Sequence, residues 1–272
     1  MNIDVLQKFS KKNYSSVPFP NFQIENCLPQ KIYETLSSEY ELFENFFKND
    51  IAYNQNNVRL QISADEFFKL KIFNKSMWHD FILYHTSKEF LEKIIDIFYN
   101  DLKIYYPNLS FEKKDLANCG LRNNDNNLKK NFVLDCQPGI NTKVTSKKSV
   151  RGAHVDNPHE LIGGLFYLKN INDNSGGHLN IYKATNKILF HQKAEVYNTQ
   201  DLELYKTIRY QPNNVFFFIN SPISIHSVTE RDKTEFMRRL TNIVVERYID
   251  GYNFKLPRQK NILRKIFECL YK

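Results

Sequence analysis

In the stretch VRGAHVDNPHELIGGLFYLK, residues 150–169, a histidine and an aspartate stand two apart just ahead of an apolar run. Side chains at i and i+2 of an extended segment project to the same side. His154 and Asp156 can therefore offer an imidazole nitrogen and a carboxylate oxygen to one metal ion, if a third ligand arrives from another strand. Of the seven histidines, His226 is best placed to supply it, because in VFFFINSPISIHSVTE it follows an apolar strand-like run and a Ser-Pro turn. His159 could rim the same pocket. His178 and His191 fall in strand-like segments, where a hydrogen-bonded structural role is commoner, and His79 and His85 have no second ligand nearby. A His-x-Asp tripeptide alone is common in solvated loops, so its surroundings decide.

Those surroundings change texture along the chain. In the first part, SADEFFKL offers Ser63 with Glu66, and TSKEFLEKIIDIFYNDL offers Thr86 with Glu89, both at capping-box spacing. Phe90, Leu91, Ile94, Ile95 and Phe98 then recur on one helical face. From about Asn131, the segments NFVLDC, LIGGLFYLK, HLNIYK, VFFFIN and RLTNIVVERY are β-branched and aromatic and are punctuated by turn residues. Strands without helix-length spacers predict an antiparallel sandwich or barrel. With 272 residues, 42% of them hydrophobic, the chain can bury a full core.

Two histidines and a carboxylate on a β scaffold form the facial triad of non-haem Fe(II) oxygenases, which leaves positions open for oxygen and a co-substrate. The ordered series HVDNP, LIGGLFYLKN, SGGHLNIY, VFFFIN, SIHSV and RRLTNIVVE resembles the prolyl-hydroxylase-like 2-oxoglutarate- and Fe(II)-dependent dioxygenases over roughly residues 131–248. NFQIENCLPQKIYETLSSEY also resembles the start of bacterial and viral members. The resemblance implies an α+β, mainly β fold: a double-stranded β-helix (jelly-roll, cupin-like) core over 121–250. A helical region, 1–120, would pack on that core, and an amphipathic helix would follow at 251–272.

The same resemblance implies catalytic iron ligands His154, Asp156 and His226, with Fe(II), 2-oxoglutarate and O2 as cofactor and co-substrates. An arginine on the strand after the distal histidine would grip the far carboxylate of 2-oxoglutarate in a two-pronged ion pair. Arg238 and Arg239 are both candidates, and strand alternation points only one inward. Arg239 is preferred because Thr241 matches a hydroxyl residue found two positions on in the family. Tyr167 matches a tyrosine that reaches the same carboxylate, with a barrel-filling aromatic as its alternative. Gln137 stands where relatives carry an aromatic hydroxyl before Pro-Gly, and its amide could still donate to the co-substrate. NTKVTSKKSVRG is expected as a loop over the site mouth, and Gly176 and Gly177 as turn formers. The implied reaction is oxidative decarboxylation to succinate and CO2 coupled to attack on a substrate C–H bond. A carboxylate at Asp156 favours hydroxylation over halogenation.

The expected substrate is a small molecule or glycan-pathway intermediate, with protein hydroxylation, prolyl or other, as the alternative. A non-enzymatic alternative is a β-barrel binding module without iron. The net charge of +8 comes from scattered basic residues, and without a basic groove with stacking aromatics a nucleic-acid partner is not expected. No run approaches the ~20 apolar residues of a membrane span, and the start lacks a secretory signal; the expected location is the cytoplasm. Cys27, Cys119, Cys136 and Cys269 are expected as free thiols. In the tail, Ile262, Leu263, Ile266, Phe267 and Leu270 share one stripe, expected to pack on the protein, with a membrane surface or a homodimer interface as alternatives.

Overall fold

A computed structural model describes residues 2–124, 129–184 and 201–247. The expected 251–272 helix, His191 and Cys269 lie outside the described residues.

Among the described residues six α-helices precede the barrel: α1 (Gln30–Glu39), α2 (Glu41–Phe47), α3 (Ala64–Lys69), α4 (Met77–His85), α5 (Lys88–Tyr105) and the single turn α6 (Lys113–Leu116). Ser63 caps α3 as the sequence predicts, accepting from the Glu66 amide while the Glu66 carboxylate accepts from the Ser63 amide. At α5 the cap shifts by one residue. Ser87 accepts from the Phe90 amide, while the Thr86 hydroxyl donates back to the Ile82 carbonyl of α4. The five apolar residues predicted on one face of α5 are all buried.

The strands are β1 (Tyr14–Ser15), β2 (Asn21–Glu25), β3 (Arg59–Gln61), β4 (Cys119–Leu121), β5 (Phe132–Asn141), β6 (Glu160–Tyr167), β7 (Leu179–Ala184), β8 (Leu202–Ile208), β9 (Asn214–Ile219), β10 (His226–Val228) and β11 (Arg238–Glu246). The larger sheet runs β1-β2-β9-β6-β11-β5-β3, and the smaller runs β10-β7-β8. A bridge between His154 and His226 adds the strand-like stretch after β5 to the smaller sheet. The chain from β5 onward thus weaves between two facing four-stranded layers, β5-β11-β6-β9 and 154-β10-β7-β8, which is a double-stranded β-helix. The first 120 residues are not purely helical: β1, β2 and β3 extend both edges of the larger sheet.

Alternation along β9 shows how the layers share one apolar run. Val215, Phe217 and Ile219 pack outward against the helices, and Phe216 and Phe218 pack into the barrel. Phe217 meets Phe22 of β2 at 5.4 Å and Phe90 of α5 at 6.3 Å. Each such fully buried phenylalanine is worth about 1.5–3 kcal/mol.

Tyr40, between α1 and α2, ties the helices to the sheet. Its buried hydroxyl lies 2.7 Å from the Gly139 carbonyl and 2.6 Å from the Leu240 carbonyl, and accepts from the Gly139 amide at 3.0 Å. Tyr40→Phe should lower stability by about 1–3 kcal/mol, because it leaves buried backbone groups of β5 and β11 short of a partner. The expected result is a lower denaturant midpoint with an unchanged slope; a midpoint equal to that of the parent would show that the hydroxyl is dispensable.

Candidate metal centre

His154, Asp156 and His226 meet at the mouth of the barrel. The two histidines face each other across an antiparallel bridge, each amide donating to the other's carbonyl at 2.9 Å. Their ring centroids are 4.3 Å apart. His154 Nδ1 is 2.7 Å from the Gly152 carbonyl and His226 Nδ1 is 2.9 Å from the Ser224 carbonyl. A carbonyl only accepts, so each Nδ1 carries the hydrogen and each Nε2 presents its lone pair. Those Nε2 atoms lie 3.4 and 3.5 Å from the two Asp156 carboxylate oxygens. One ligand atom from each residue fits within 4.8 Å of the others. Two donors bound to one ion at about 2.1 Å each lie roughly 3 Å apart when at right angles, so the cluster is within a small adjustment of ligation.

The protonation states suit a cation. Burial would raise the Asp156 carboxyl, but His226, His154 and Arg151 outweigh it and hold the group below the ordinary carboxylate range. Burial, with His154 adding to it, pulls His226 down to about 4. Asp156 therefore stands as a carboxylate and His226 as a neutral imidazole, the metal-binding forms. His154 Nε2 is buried and has no hydrogen-bond partner, as expected of a nitrogen reserved for a ligand.

The triad opens into a cavity of about 480 Å³ that Arg59, Gln61, Gln137, Arg238 and Asn242 also line, a volume within the small-molecule range. Arg238 is buried inside the barrel. Its Nε donates to the Gly177 carbonyl at 2.8 Å and its Nη1 to Asn141 Oδ1 at 3.1 Å. The guanidinium carbon stands 5.2 and 4.9 Å from the ring centres of Tyr167 and Tyr210. Nη2 of Arg238 and the hydroxyl of Tyr167 are both buried without a partner. Burial, only partly offset by Arg238 and Arg59, raises the Tyr167 hydroxyl and keeps it a donor. Two idle donors beside each other are a cradle for a carboxylate.

The preference for Arg239 is corrected. Its side chain leaves on the opposite face of β11, where Nε pairs with Glu44 of α2 at 2.7 Å and the guanidinium lies over the Tyr40 ring. Thr241 alternates with it on that helix-covered face, whereas Arg238, Leu240, Asn242 and Val244 line the cavity. Gln137 does line it, donating to Asp135 at 2.7 Å. Val150 and Arg151 of the expected mouth loop line it too, and Arg151 reaches Asp156 at 3.2 Å. Gly177 does more than turn the chain. At φ +76°, an added Cβ would lie 2.8 Å from Arg238 Cδ, so the glycine makes room for that side chain as well as the turn. His178 plays the structural part expected, its Nδ1 accepting from the Tyr210 amide. His85 is buried in the helical layer, with Nδ1 on the Phe81 carbonyl. Cys27, Cys119 and Cys136 are free. Sequence reasoning missed Arg59, Gln61, Glu160 and Asn242 as lining residues.

No family model matches this chain, and no curated protein matches it. Among solved structures, prolyl 4-hydroxylases from Phytophthora capsici align over 92% of this chain and 67% of theirs, at 14% identity and a TM-score of 0.49. A Pseudomonas putida prolyl-4-hydroxylase aligns over 84% and 92%, at 8% identity and a TM-score of 0.46. A prolyl hydroxylase from Trichoplax adhaerens, in complex with a hypoxia inducible factor peptide fragment, aligns over 84% and 83%, at 14% identity and a TM-score of 0.42. These are distant likenesses. From this chain's own strand order and side chains, the class is a double-stranded β-helix with two histidines and a carboxylate gathered at its mouth. No helix among the described residues is long and apolar enough to cross a membrane.

Proposed function

We propose that this chain is an Fe(II)- and 2-oxoglutarate-dependent oxygenase that hydroxylates a C–H bond of a small molecule. One observation carries the reading. Two imidazole lone pairs and a carboxylate converge at one end of a cavity that the Arg238 guanidinium also lines, with an unused donor on Arg238 and another on the buried hydroxyl of Tyr167, whose ring lies against that guanidinium. A metal site and a carboxylate site on one cavity suit a bifunctional ligand.

In this reading His154, Asp156 and His226 hold iron, which when bound supplies the oxidative chemistry with O2 and 2-oxoglutarate. Gly152 and Ser224 fix the imidazole tautomers through their carbonyls. Arg238 and Tyr167 take the far carboxylate of 2-oxoglutarate and so orient its other end toward the triad. Leu179, Phe218, Val228 and Leu240 line the cavity and keep bulk water from the reacting centre.

Anaerobic addition of Fe(II) and then 2-oxoglutarate should give a weak visible charge-transfer band, and admitting oxygen should release succinate. A substrate panel holding both small metabolites and a proline-containing peptide, read by mass spectrometry for one added oxygen, separates the small-molecule from the protein-hydroxylase reading. Absence of any 2-oxoglutarate-dependent band would leave a metal-free binding barrel instead.

A further inference from the structure

One wall of the cavity carries a chain of side chains whose hydrogen bonds all run one way. Arg59 Nη2 donates to Asn242 Oδ1 at 2.8 Å, Asn242 Nδ2 to Gln61 Oε1 at 3.4 Å, Gln61 Nε2 to Gln137 Oε1 at 3.3 Å, and Gln137 Nε2 to Asp135 Oδ2 at 2.7 Å. The Ala64 amide occupies the other Asp135 oxygen at 2.8 Å. A guanidinium can only donate and an ionised carboxylate can only accept, so the two ends dictate the orientation of every amide between them. Each amide oxygen accepts one bond within the chain, and each amide nitrogen keeps a second hydrogen. Arg59 Nε is buried with no partner at all. The chain keeps spare N–H donors on Arg59, Gln61 and Asn242.

The charge balance points the same way. Arg122 pairs with Glu246 and Arg151 with Asp156, but among the described residues neither Arg59 nor Arg238 has a carboxylate in ion-pair range. Burial and the neighbouring Arg238 and Arg151 pull Arg59 down to about 10, which leaves it charged at neutral pH. In the oxygenase reading, the far carboxylate of 2-oxoglutarate would take Arg238. Arg59 has no such partner, and a cation whose Nε is buried and unpaired calls for an anion.

We propose that Arg59, with the spare amide hydrogens of Gln61 and Asn242, is the docking point for an oxyanion group of the substrate, a carboxylate or a phosphate. This deepens the oxygenase reading and rests on it: the substrate is an anionic small molecule, held by its charged end on β3 while its reacting carbon lies toward the triad.

The test uses equilibrium binding on protein loaded with redox-inert Zn(II) and saturated with 2-oxoglutarate. Acetate and sulfate are titrated in calorimetry as planar and tetrahedral oxyanion probes, and the tighter of the two names the group. Arg59→Gln and Gln61→Glu should each weaken that probe about ten-fold or more and Arg59→Lys less, with 2-oxoglutarate affinity held within about two-fold throughout. Equal probe affinity in parent and variants, as binding directly to the metal would give, overturns the inference alone. So does an Arg59→Gln loss of 2-oxoglutarate affinity as large as that of Arg238→Ala, which would assign Arg59 to the co-substrate. A metal-loaded parent protein that takes up no 2-oxoglutarate overturns the oxygenase reading itself, and this inference with it.

Discussion

Asp156→Ala protein is expected to lose Fe(II)-dependent turnover of 2-oxoglutarate completely while still folding. The carboxylate is the only anion of the triad, and the imidazoles it joins are neutral ligands. Removing a group that merely steadies a ligand costs roughly 10–100-fold in metal affinity or activity, and removing the anionic ligand itself costs more. The fold should tolerate the change, since Asp156 sits at the barrel mouth and its cation partner Arg151 is 45% exposed and can turn to water. A buried carboxylate also carries a desolvation cost that alanine lacks. The measurements are Zn(II) or Fe(II) affinity by calorimetry, succinate release, and a thermal melt of the metal-free protein. Full coupled activity in the alanine variant would show that the His154 and His226 pair is not completed by Asp156, and the metal assignment would go with it.

What could be read beforehand follows from where polarity leaves a signature. His154, Asp156 and His226 were legible because polar side chains interrupt apolar strands at a spacing that places them together. β9 was legible as a strand, though its run VFFFI gave no inward or outward face, because both of its faces are covered. The same blindness explains β11. Its outward residues Arg239, Thr241, Ile243 and Val245 and its inward residues Arg238, Leu240, Asn242 and Val244 have nearly the same polarity. Helices blanket one face and the cavity the other, so alternation separates no water-facing set. A family habit at Thr241 then decided the register, and decided it wrongly. β3 was invisible for a different reason: three residues amid helical segments carry no periodicity, and what makes Arg59 and Gln61 important is their pairing with Asn141 and Gly139 of β5, some eighty residues on. The capping shift at α5 arose because Thr86 and Ser87 can both cap, and only the α4 terminus, which claims Thr86, breaks the tie.

The register error has a sharp consequence. Arg238→Ala should raise the 2-oxoglutarate requirement by about thirty-fold to several thousand-fold, the 2–5 kcal/mol that follows from removing one partner of a buried charge-assisted pair. Arg239→Ala should leave it nearly unchanged and instead cost about 1 kcal/mol of stability, since it cuts a half-buried pair with Glu44 and a contact with the Tyr40 ring. Arg238 also holds the Gly177 carbonyl and Asn141 in place, so a folding defect must be told apart from a binding defect. Arg238→Lys does this. It keeps the positive charge and loses the planar fork, so it should bind Zn(II) as the parent does, melt close to the parent, and still bind 2-oxoglutarate more weakly than the parent and more tightly than Arg238→Ala. Direct 2-oxoglutarate affinity on the Zn(II)-loaded proteins is the deciding measurement, because it needs no turnover and no known substrate. If Arg239→Ala weakens 2-oxoglutarate and Arg238→Ala does not, the inward face of β11 is the one that carries Thr241. The unused Nη2 of Arg238 and hydroxyl of Tyr167 would then have nothing to do with a carboxylate.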